Sequence, residues 1–420
     1  MNLPRFGQSL CNASLAHDSI AKKAKAMFDR NVFAQNAATT FVHLADNRRV
    51  RGLLGQVLEI DSVGDFSTFR EFVSMLKRDI LASGRPFGRN LVASESLFYG
   101  HLKALIEYAG HSYKESQRLL LPNIEHGIAW LQKIPNNVIQ PYVHCAVSQG
   151  AYRKELIHSA RTWMPHYVVG PYIHYARPYY SSEREAELKR EMGKALLVFP
   201  AHTYELSTVE YAKARFVDDI MGDLARDFDT VMVSAYWHDA DDDVFRLFEG
   251  AGAHVVSAGM REDPQFISRL KTIINLSDAV AGNAIGTHIG YAMCLGKPFY
   301  MLGARKADIR DAGNSYESAE QGRLDEITIR VGHAFSSEGS TEERNAIFNT
   351  YWGGRESIKT PKEVDCILGI SEEVLARSHG RTDRFASAIQ SIFDESLRGT
   401  SGDDVVRVSL LSEALGLAVR

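Results

Sequence analysis

The sequence lacks the cysteine spacing that a disulfide scaffold or a structural zinc site requires. Its four cysteines, Cys11, Cys145, Cys294 and Cys366, lie far apart, with no CxxC or CxxxH pair among them. Scattered cysteines of this kind are typical of buried thiols in a reducing compartment. We therefore predict no disulfide framework and no metal ion held by cysteine.

Long apolar runs are also absent. Residues 1–19 contain no apolar segment like that of a secretory signal peptide, so none is predicted. No uninterrupted apolar run approaches the roughly 18 residues of a membrane-spanning helix. These absences favour a cytoplasmic protein, with peripheral contact at the inner face of the membrane left open.

Neither sign of charge is in large excess. The formal net charge of -4 at pH 7 provides no overall attraction to nucleic acid or to an anionic membrane. Hydrophobic residues make up 45% of the chain and charged residues 24%, which favours a folded chain over a disordered one. Because 420 residues are too many for one ordinary core, two domains are predicted.

Five apolar runs of strand length follow one another in the second half of the chain. They are ALLVFPA (195–201), DTVMVSAYW (229–237), AHVVSAG (253–259), SDAVAGN (277–283) and KPFYMLG (297–303). Amphipathic segments separate them. Near-continuous apolar strands that alternate with helices indicate a parallel sheet covered on both faces, which predicts a doubly wound, Rossmann-like α/β domain.

The first half has a less regular pattern. Apolar residues recur at helical spacing over 66–81, and residues 140–160 have the order strand, Ser-Gln-Gly turn and helix. A further strand leaves through Gly170 into an aromatic, proline-containing stretch, and a charged helix follows it. We interpret that stretch as the linker and predict domains at 1–178 and 179–420.

Ligands of an open parallel sheet bind outside the carboxyl ends of its strands. His202 and Thr203 follow the first run, where they are candidates for contact with a phosphate or nucleotide; the alternative is a loop with a helix cap. Acidic residues 241–243 follow the second run. They resemble a divalent-cation site, but acidic residues also stabilise the first turn of a helix, and we favour that interpretation.

The segment after the fourth run has the clearest site pattern. Its strand ends at Gly282 and Asn283, and a turn through Gly286 leads into a helix that begins near Thr287. Backbone N–H groups at such a helix start bind phosphate, and the Thr287 hydroxyl and His288 would add to them. Gly286 would allow the backbone to approach a ligand closely.

A second candidate lies in the first half of the chain. Glu125 and His126 follow the apolar run 119–121 and precede an apolar segment of helical character. A general base at such a strand-to-helix turn would face the cleft between the domains. The alternative is a polar turn whose glutamate caps a helix. Four linker tyrosines could stack on a sugar or fill the domain seam, and we favour the seam: Tyr172, Tyr175, Tyr179 and Tyr180.

Residues 195–303 resemble the C-terminal domain of GT-B glycosyltransferases. The resemblance lies in the order strand, asparagine, small turn, Gly-Thr, helix, LGKPF and strand. The Glu-His-Gly turn within 119–128 is similar to the His-Gly turn of the CDP-glycerol glycerophosphotransferases. GT-B sialyl- and Kdo-transferases are similar in outline.

The resemblance implies an α/β protein with two Rossmann-like domains that face each other across a cleft. It implies transfer from a nucleotide-activated donor without a metal or other cofactor. His126 or Glu125 would deprotonate the acceptor hydroxyl. The donor would be held by residues of the C-terminal domain: His202, Thr203, Gly282, Asn283, Gly286, Thr287 and His288. The glutamate expected in the helix of retaining enzymes is absent, since residues 290–292 are Gly-Tyr-Ala, so inversion is favoured.

The hypothesis from sequence is therefore an inverting glycosyltransferase. Its partners would be a nucleotide-sugar donor and a cell-surface polysaccharide or lipid-linked glycan acceptor in a bacterium, with no nucleic acid. Three alternatives stay open: a polyol-phosphate transferase of the CDP-glycerol type, a nucleotide-sugar epimerase, and a non-catalytic protein that binds a nucleotide sugar. The donor base, the sugar and the linkage are not predicted.

Overall fold

The computed structural model describes residues 30–34, 56, 59–82, 98–113, 122–128, 130, 141–202, 207–208, 211–302, 308–309 and 318–417. Its strands are β1 (Asn123–Ile124), β2 (Ala146–Ser148), β3 (His166–Val168), β4 (Ala195–Phe199), β5 (Ser207–Thr208), β6 (Thr230–Ser234), β7 (His254–Val256), β8 (Ala279–Gly282), β9 (Phe299–Met301) and β10 (Asp308–Ile309). Its α-helices are α1 (Phe66–Ala82), α2 (His101–Tyr108), α3 (Ala151–Ala160), α4 (Ser182–Met192), α5 (Lys213–Asp218), α6 (Asp243–Gly250), α7 (Phe266–Leu276), α8 (Thr287–Cys294), α9 (Ser318–Ala334), α10 (Thr341–Trp352), α11 (Pro361–Ser378), α12 (Phe385–Arg398) and α13 (Gly402–Leu415). Among these described helices, none is both long enough and apolar enough to cross a lipid bilayer.

The larger sheet has five parallel strands in the order β7-β6-β4-β8-β9. Each of the five apolar runs in the second half forms one of these strands, so the predicted parallel sheet is confirmed. The strands are shorter than the runs because each run also contains the first residues of the next loop, such as Pro200 and Ala201. The chain reverses its direction of travel across the sheet between β4 and β8, where such sheets open a ligand crevice.

The residues of β4 show why these strands are apolar throughout. Ala195 and Leu197 pack into one hydrophobic cluster, and Leu196 and Val198 pack into another on the opposite face of the sheet. Successive side chains of a strand point to opposite faces. Both faces are therefore buried, and no polar alternation is possible.

The smaller sheet has three parallel strands in the order β1-β2-β3. Ile124 pairs with Val147, and the ladder continues past β1 because the Glu125 amide donates to the Val147 carbonyl at 3.0 Å. The predicted strand, turn and helix of 140–160 are confirmed as β2 and α3. The apolar run 119–121 lies outside the described residues. Ile128 and Trp130 are not helical, so the helix expected after the Glu-His-Gly turn does not begin there.

One continuous apolar core joins the two sheets. It contains Ile124 and Val147 from the smaller sheet and Leu197 and Val280 from the larger one. The α/β architecture therefore has two parallel sheets that share buried surface. The linker tyrosines Tyr172 and Tyr175 are buried in this core, and Tyr179 and Tyr180 are half-buried.

Packing crosses the predicted boundary at 178/179 in both directions. Helix α1 packs on the larger sheet, where Phe69 and Val73 join the cluster that contains Val198. The C-terminal helices pack on the smaller sheet, and His144 hydrogen-bonds through Nε2 to the Ser371 hydroxyl of α11 at 2.7 Å. The division into 1–178 and 179–420 stays a prediction. Sequence periodicity cannot assign α1 or α11 to a sheet, since partners this distant in sequence leave no local pattern.

Three histidines are buried in neutral form. Burial lowers the pKa of His101 to about 3, of His144 to about 4 and of His166 to about 3. His166 hydrogen-bonds through Nε2 to the Ser148 hydroxyl at 2.8 Å, in the smaller sheet. Each ring would have to lose these surroundings before it could take up a proton.

We predict that the free energy of unfolding falls as pH drops from 6.5 toward 4.5. The folded pKa values of these histidines lie below their unfolded value, so the unfolded state binds protons first. The contribution of each histidine to the free energy of unfolding is fully present above pH 6.5. It is lost as the pH falls toward the folded pKa, by about 1.4 kcal/mol per pH unit for each histidine. Urea unfolding at several pH values measures it. His144→Gln removes one of these titrating groups, so it should reduce the slope of the free energy of unfolding against pH by the contribution of one proton. A slope that His144→Gln leaves unchanged would contradict the prediction.

Candidate functional site

The two parallel sheets meet at their carboxyl ends. The turn that follows β1 contacts the start of α8, where the Ile128 amide donates to the Thr287 hydroxyl at 3.4 Å. A β-carbon added to Gly127 would lie 3.5 Å from the same hydroxyl oxygen. Both turns that were predicted to carry chemistry are thus brought together, although they are about 160 residues apart in the sequence.

The tip of β8 is tied to the tip of β4. The Asn283 side-chain oxygen accepts a hydrogen bond from the Ala201 amide at 2.7 Å, and Asn283 is only 2% exposed. The His288 ring stacks on Phe199, with ring centres 4.7 Å apart and planes 18° apart. These contacts fix the crevice between β4 and β8, the position in which nucleotides bind to sheets of this kind.

The two glycines of the turn make room for His288. A β-carbon at Gly286 would lie 2.8 Å from His288 Nδ1, and one at Gly282 would lie 3.3 Å from Nε2. The sequence suggested that Gly286 would admit a ligand to the backbone. In the structure the neighbour that occupies this space is the His288 ring, and the φ of Gly286, -171°, is ordinary extended backbone.

His288 and His202 lie near each other at this edge. His288 Nε2 is buried and has no hydrogen-bond partner in the part of the chain that the structure describes. Burial, with a smaller contribution from His202, lowers the pKa of His288 to about 3. His202 is exposed, with its ring centre 4.5 Å from that of Tyr236. Thr203 lies outside the described residues.

The start of α8 is held by the C-terminal part of the chain. Trp352 is fully buried, and its indole N–H donates to the Thr287 carbonyl at 3.2 Å. A β-carbon at Gly290 would lie 2.3 Å from the Trp352 ring, so only glycine fits against it. A glutamate like that of the retaining enzymes would not fit at Gly290, because its side chain would collide with Trp352.

His126 lies in the turn that follows β1, and it is exposed to solvent. Its ring stacks on Tyr99 at 5.8 Å and meets the edge of Phe98 at 5.7 Å. The residue is exposed, yet surrounding protein atoms and the Arg261 guanidinium lower its pKa to about 4. The imidazole is therefore neutral at pH 7, but so low a pKa also makes it a weak base.

Glu125 faces the other way. It is 5% exposed and accepts three hydrogen bonds from Arg153 of α3, at 3.1, 3.1 and 2.7 Å. A carboxylate paired in this way holds the β1 turn onto α3. The Glu125 oxygens accept hydrogen bonds from the Arg153 guanidinium, whereas the neighbouring His126 is exposed to solvent.

A chain of rings connects the two candidate regions. His202 packs against Tyr236, Tyr236 hydrogen-bonds with Tyr99, and Tyr99 stacks on His126. Tyr99 has a left-handed backbone with φ of 60°, which is costly for a tyrosine and is found mostly at functional sites. The Arg261 guanidinium lies 4.7 Å from the centre of the Phe98 ring at the same place.

Sequence analysis missed Tyr99 and Arg261. Arg261 could have been found, because it follows the third apolar run, and the carboxyl-end rule applies to that strand as to the others. Tyr99 could not, since no local pattern predicts a left-handed tyrosine. Tyr236 lies at the end of the second run, so the same rule applies to it.

The acidic residues after β6 form a helix start. Asp242 caps α6, and its side chain accepts from the Val244 amide at 2.9 Å, as the capping interpretation predicted. Lys213 pairs with the same carboxylate at 2.7 Å. Within the ranges that the structure covers, no group of three or more His, Cys, Asp or Glu side chains is placed to hold a metal ion.

We predict that Arg153→Met lowers the free energy of unfolding by about 3–5 kcal/mol, because it leaves the buried Glu125 carboxylate unpaired. Denaturant unfolding measures the effect. The matched control is Arg184→Met, whose partner Glu187 is about half exposed, and about 0–1 kcal/mol is expected there. Equal effects of the two substitutions would contradict a structural role for the buried pair.

Comparison with known proteins assigns the chain to no family. No protein-family model matches it, and no curated protein matches its sequence. The likeness of residues 195–303 to GT-B glycosyltransferases therefore remains a resemblance of motifs. The function has to be argued from the junction of the two sheets.

Proposed function

We propose that the protein is a glycosyltransferase that moves a sugar from a nucleotide-activated donor to an acceptor hydroxyl. In this proposal each parallel sheet belongs to one Rossmann-like half, and the reaction takes place where their carboxyl ends meet. The donor lies on the larger sheet and the acceptor on the smaller one. The acceptor would be a polysaccharide or a lipid-linked glycan.

The observation that carries the proposal is the contact between Ile128 and Thr287. It places a turn with an exposed, neutral imidazole beside the start of a helix. Helix starts bind phosphate through backbone N–H groups, and a nucleotide donor presents a phosphate as its leaving group. A base and a leaving-group site at one junction are the two elements that direct transfer to a hydroxyl requires.

On the donor side, the start of α8 would stabilise negative charge as it develops on the leaving phosphate. His202 follows β4, and its ring packs against Tyr236, which follows the neighbouring strand β6. A nucleoside at the tip of β4 would meet these rings. Asn283 acts by holding the two strand tips together, since its side-chain oxygen bonds to the Ala201 amide. His288 holds the turn between β8 and α8 in place through its stacking on Phe199, the last residue of β4.

On the acceptor side, His126 would accept the proton of the attacking hydroxyl. His126 is favoured over Glu125 as the base because the Glu125 carboxylate is buried and bonded to Arg153. A bound phosphate near Arg261 would offset the positive charge that contributes to the low pKa of His126. Donor binding would in this way strengthen the base.

The donor site is tested by thermal unfolding with CMP, CDP, UDP, GDP and dTDP, each with and without magnesium. A nucleotide at a hundred times its dissociation constant should stabilise the folded state by about 2.7 kcal/mol. The corresponding nucleosides are the control, and they should stabilise less because they lack the phosphate that the start of α8 would bind. A chain that none of the nucleotides stabilises would refute the proposal.

The base is tested by His126→Gln. We expect kcat with the matching donor and acceptor to fall by about 10²- to 10⁴-fold, while nucleotide affinity stays unchanged. The control is His254→Gln, an exposed histidine at the amino end of β7, at the opposite edge of the sheet from the site. Turnover of His126→Gln at the wild-type rate would exclude His126 as the base.

A further inference from the structure

Gln149 is a buried glutamine whose side chain has nothing to bond to among the described residues. It follows β2 directly, is 2% exposed, and neither its amide nitrogen nor its amide oxygen has a hydrogen-bond partner there. Buried polar atoms are normally paired, because leaving one unpaired is costly. A methionine or leucine at this position would avoid that cost, so packing alone does not explain the glutamine.

The smaller sheet brings Gln149 close to the turn that contains His126. Ile124 pairs with Val147, and the Glu125 amide donates to the Val147 carbonyl at 3.0 Å. Gln149 comes two residues after Val147 and His126 comes one residue after Glu125, so the two residues are near each other. Neighbouring strands lie about 4.8 Å apart. A ligand against the exposed His126 ring is therefore within reach of a glutamine side chain from the adjacent strand.

A second buried polar atom lies near β2. His101 is 2% exposed, and its Nδ1 has no hydrogen-bond partner in the described part of the chain. Its ring centre is 4.5 Å from that of Tyr172, whose hydroxyl donates to the Val147 carbonyl.

We propose that the Gln149 amide binds hydroxyl groups of the acceptor sugar beside the hydroxyl that His126 deprotonates. The proposal rests on the proposed function of the site. An amide presents one acceptor oxygen and one donor nitrogen, and neighbouring sugar hydroxyls can both donate and accept, so both atoms would be satisfied. Gln149 follows β2 of the smaller sheet, to which the proposed function assigns the acceptor, so we place it on the acceptor side.

Gln149→Met tests this assignment through two measurements. Removal of an unsatisfied amide should leave the thermal midpoint of the ligand-free protein equal to or above that of the wild type. The affinity for free saccharides should fall roughly tenfold to a hundredfold, because two hydrogen bonds are lost. The probes are glucose, galactose, N-acetylglucosamine and N-acetylneuraminic acid, followed by ligand-observed NMR. The matched control is Gln390→Met, since Gln390 is exposed and bonds to Asp394.

The outcomes separate this proposal from the function on which it rests. Nucleotide affinity of Gln149→Met should equal that of the wild type. Failure of the wild type to bind any nucleotide would refute the proposed function, whereas the saccharide measurements would still report whether Gln149 binds a sugar. The role of Gln149 would be overturned if the wild type bound none of the four saccharides. It would also be overturned if Gln149→Met bound them as tightly as the wild type or unfolded at a clearly lower temperature. That last result would assign Gln149 to structure, with buried water as its partner.

Discussion

The apolar core between the two parallel sheets determines where the candidate site lies. Ile124 and Val147 of the smaller sheet share that core with Leu197 and Val280 of the larger one. Burial of this surface holds the carboxyl ends of both sheets next to each other. The turn after β1 and the start of α8 come into contact only because the strands behind them are packed together.

Polar contacts then fix the geometry that the core establishes. The buried ion pair of Glu125 and Arg153 anchors the β1 turn, and the Asn283 side chain joins the tips of β4 and β8. Trp352 holds the start of α8 through its indole N–H. These contacts give the junction a rigid frame, and the exposed His126 ring lies beside it.

Much of the fold could be predicted from the sequence because it is encoded locally. The five apolar runs, the β2–α3 unit and the Asp242 cap each follow from patterns within a few residues. The turns at 125–128 and 282–288 were found for the same reason. The sequence did not reveal that Glu125 is bonded to Arg153, that Tyr99 has a left-handed backbone or that α1 packs on the larger sheet. Those features depend on contacts between distant segments, which leave no periodic trace.

The central claim is that one ligand contacts both sheets at their junction. Hydrogen–deuterium exchange tests it most directly, with the nucleotide among CMP, CDP, UDP, GDP and dTDP that raises the thermal midpoint most. We expect slower exchange in 283–290, at the start of α8, and also in 122–128, because the Ile128 amide bonds to the Thr287 hydroxyl. Protection confined to one of these segments, or absent from both, would contradict a shared site.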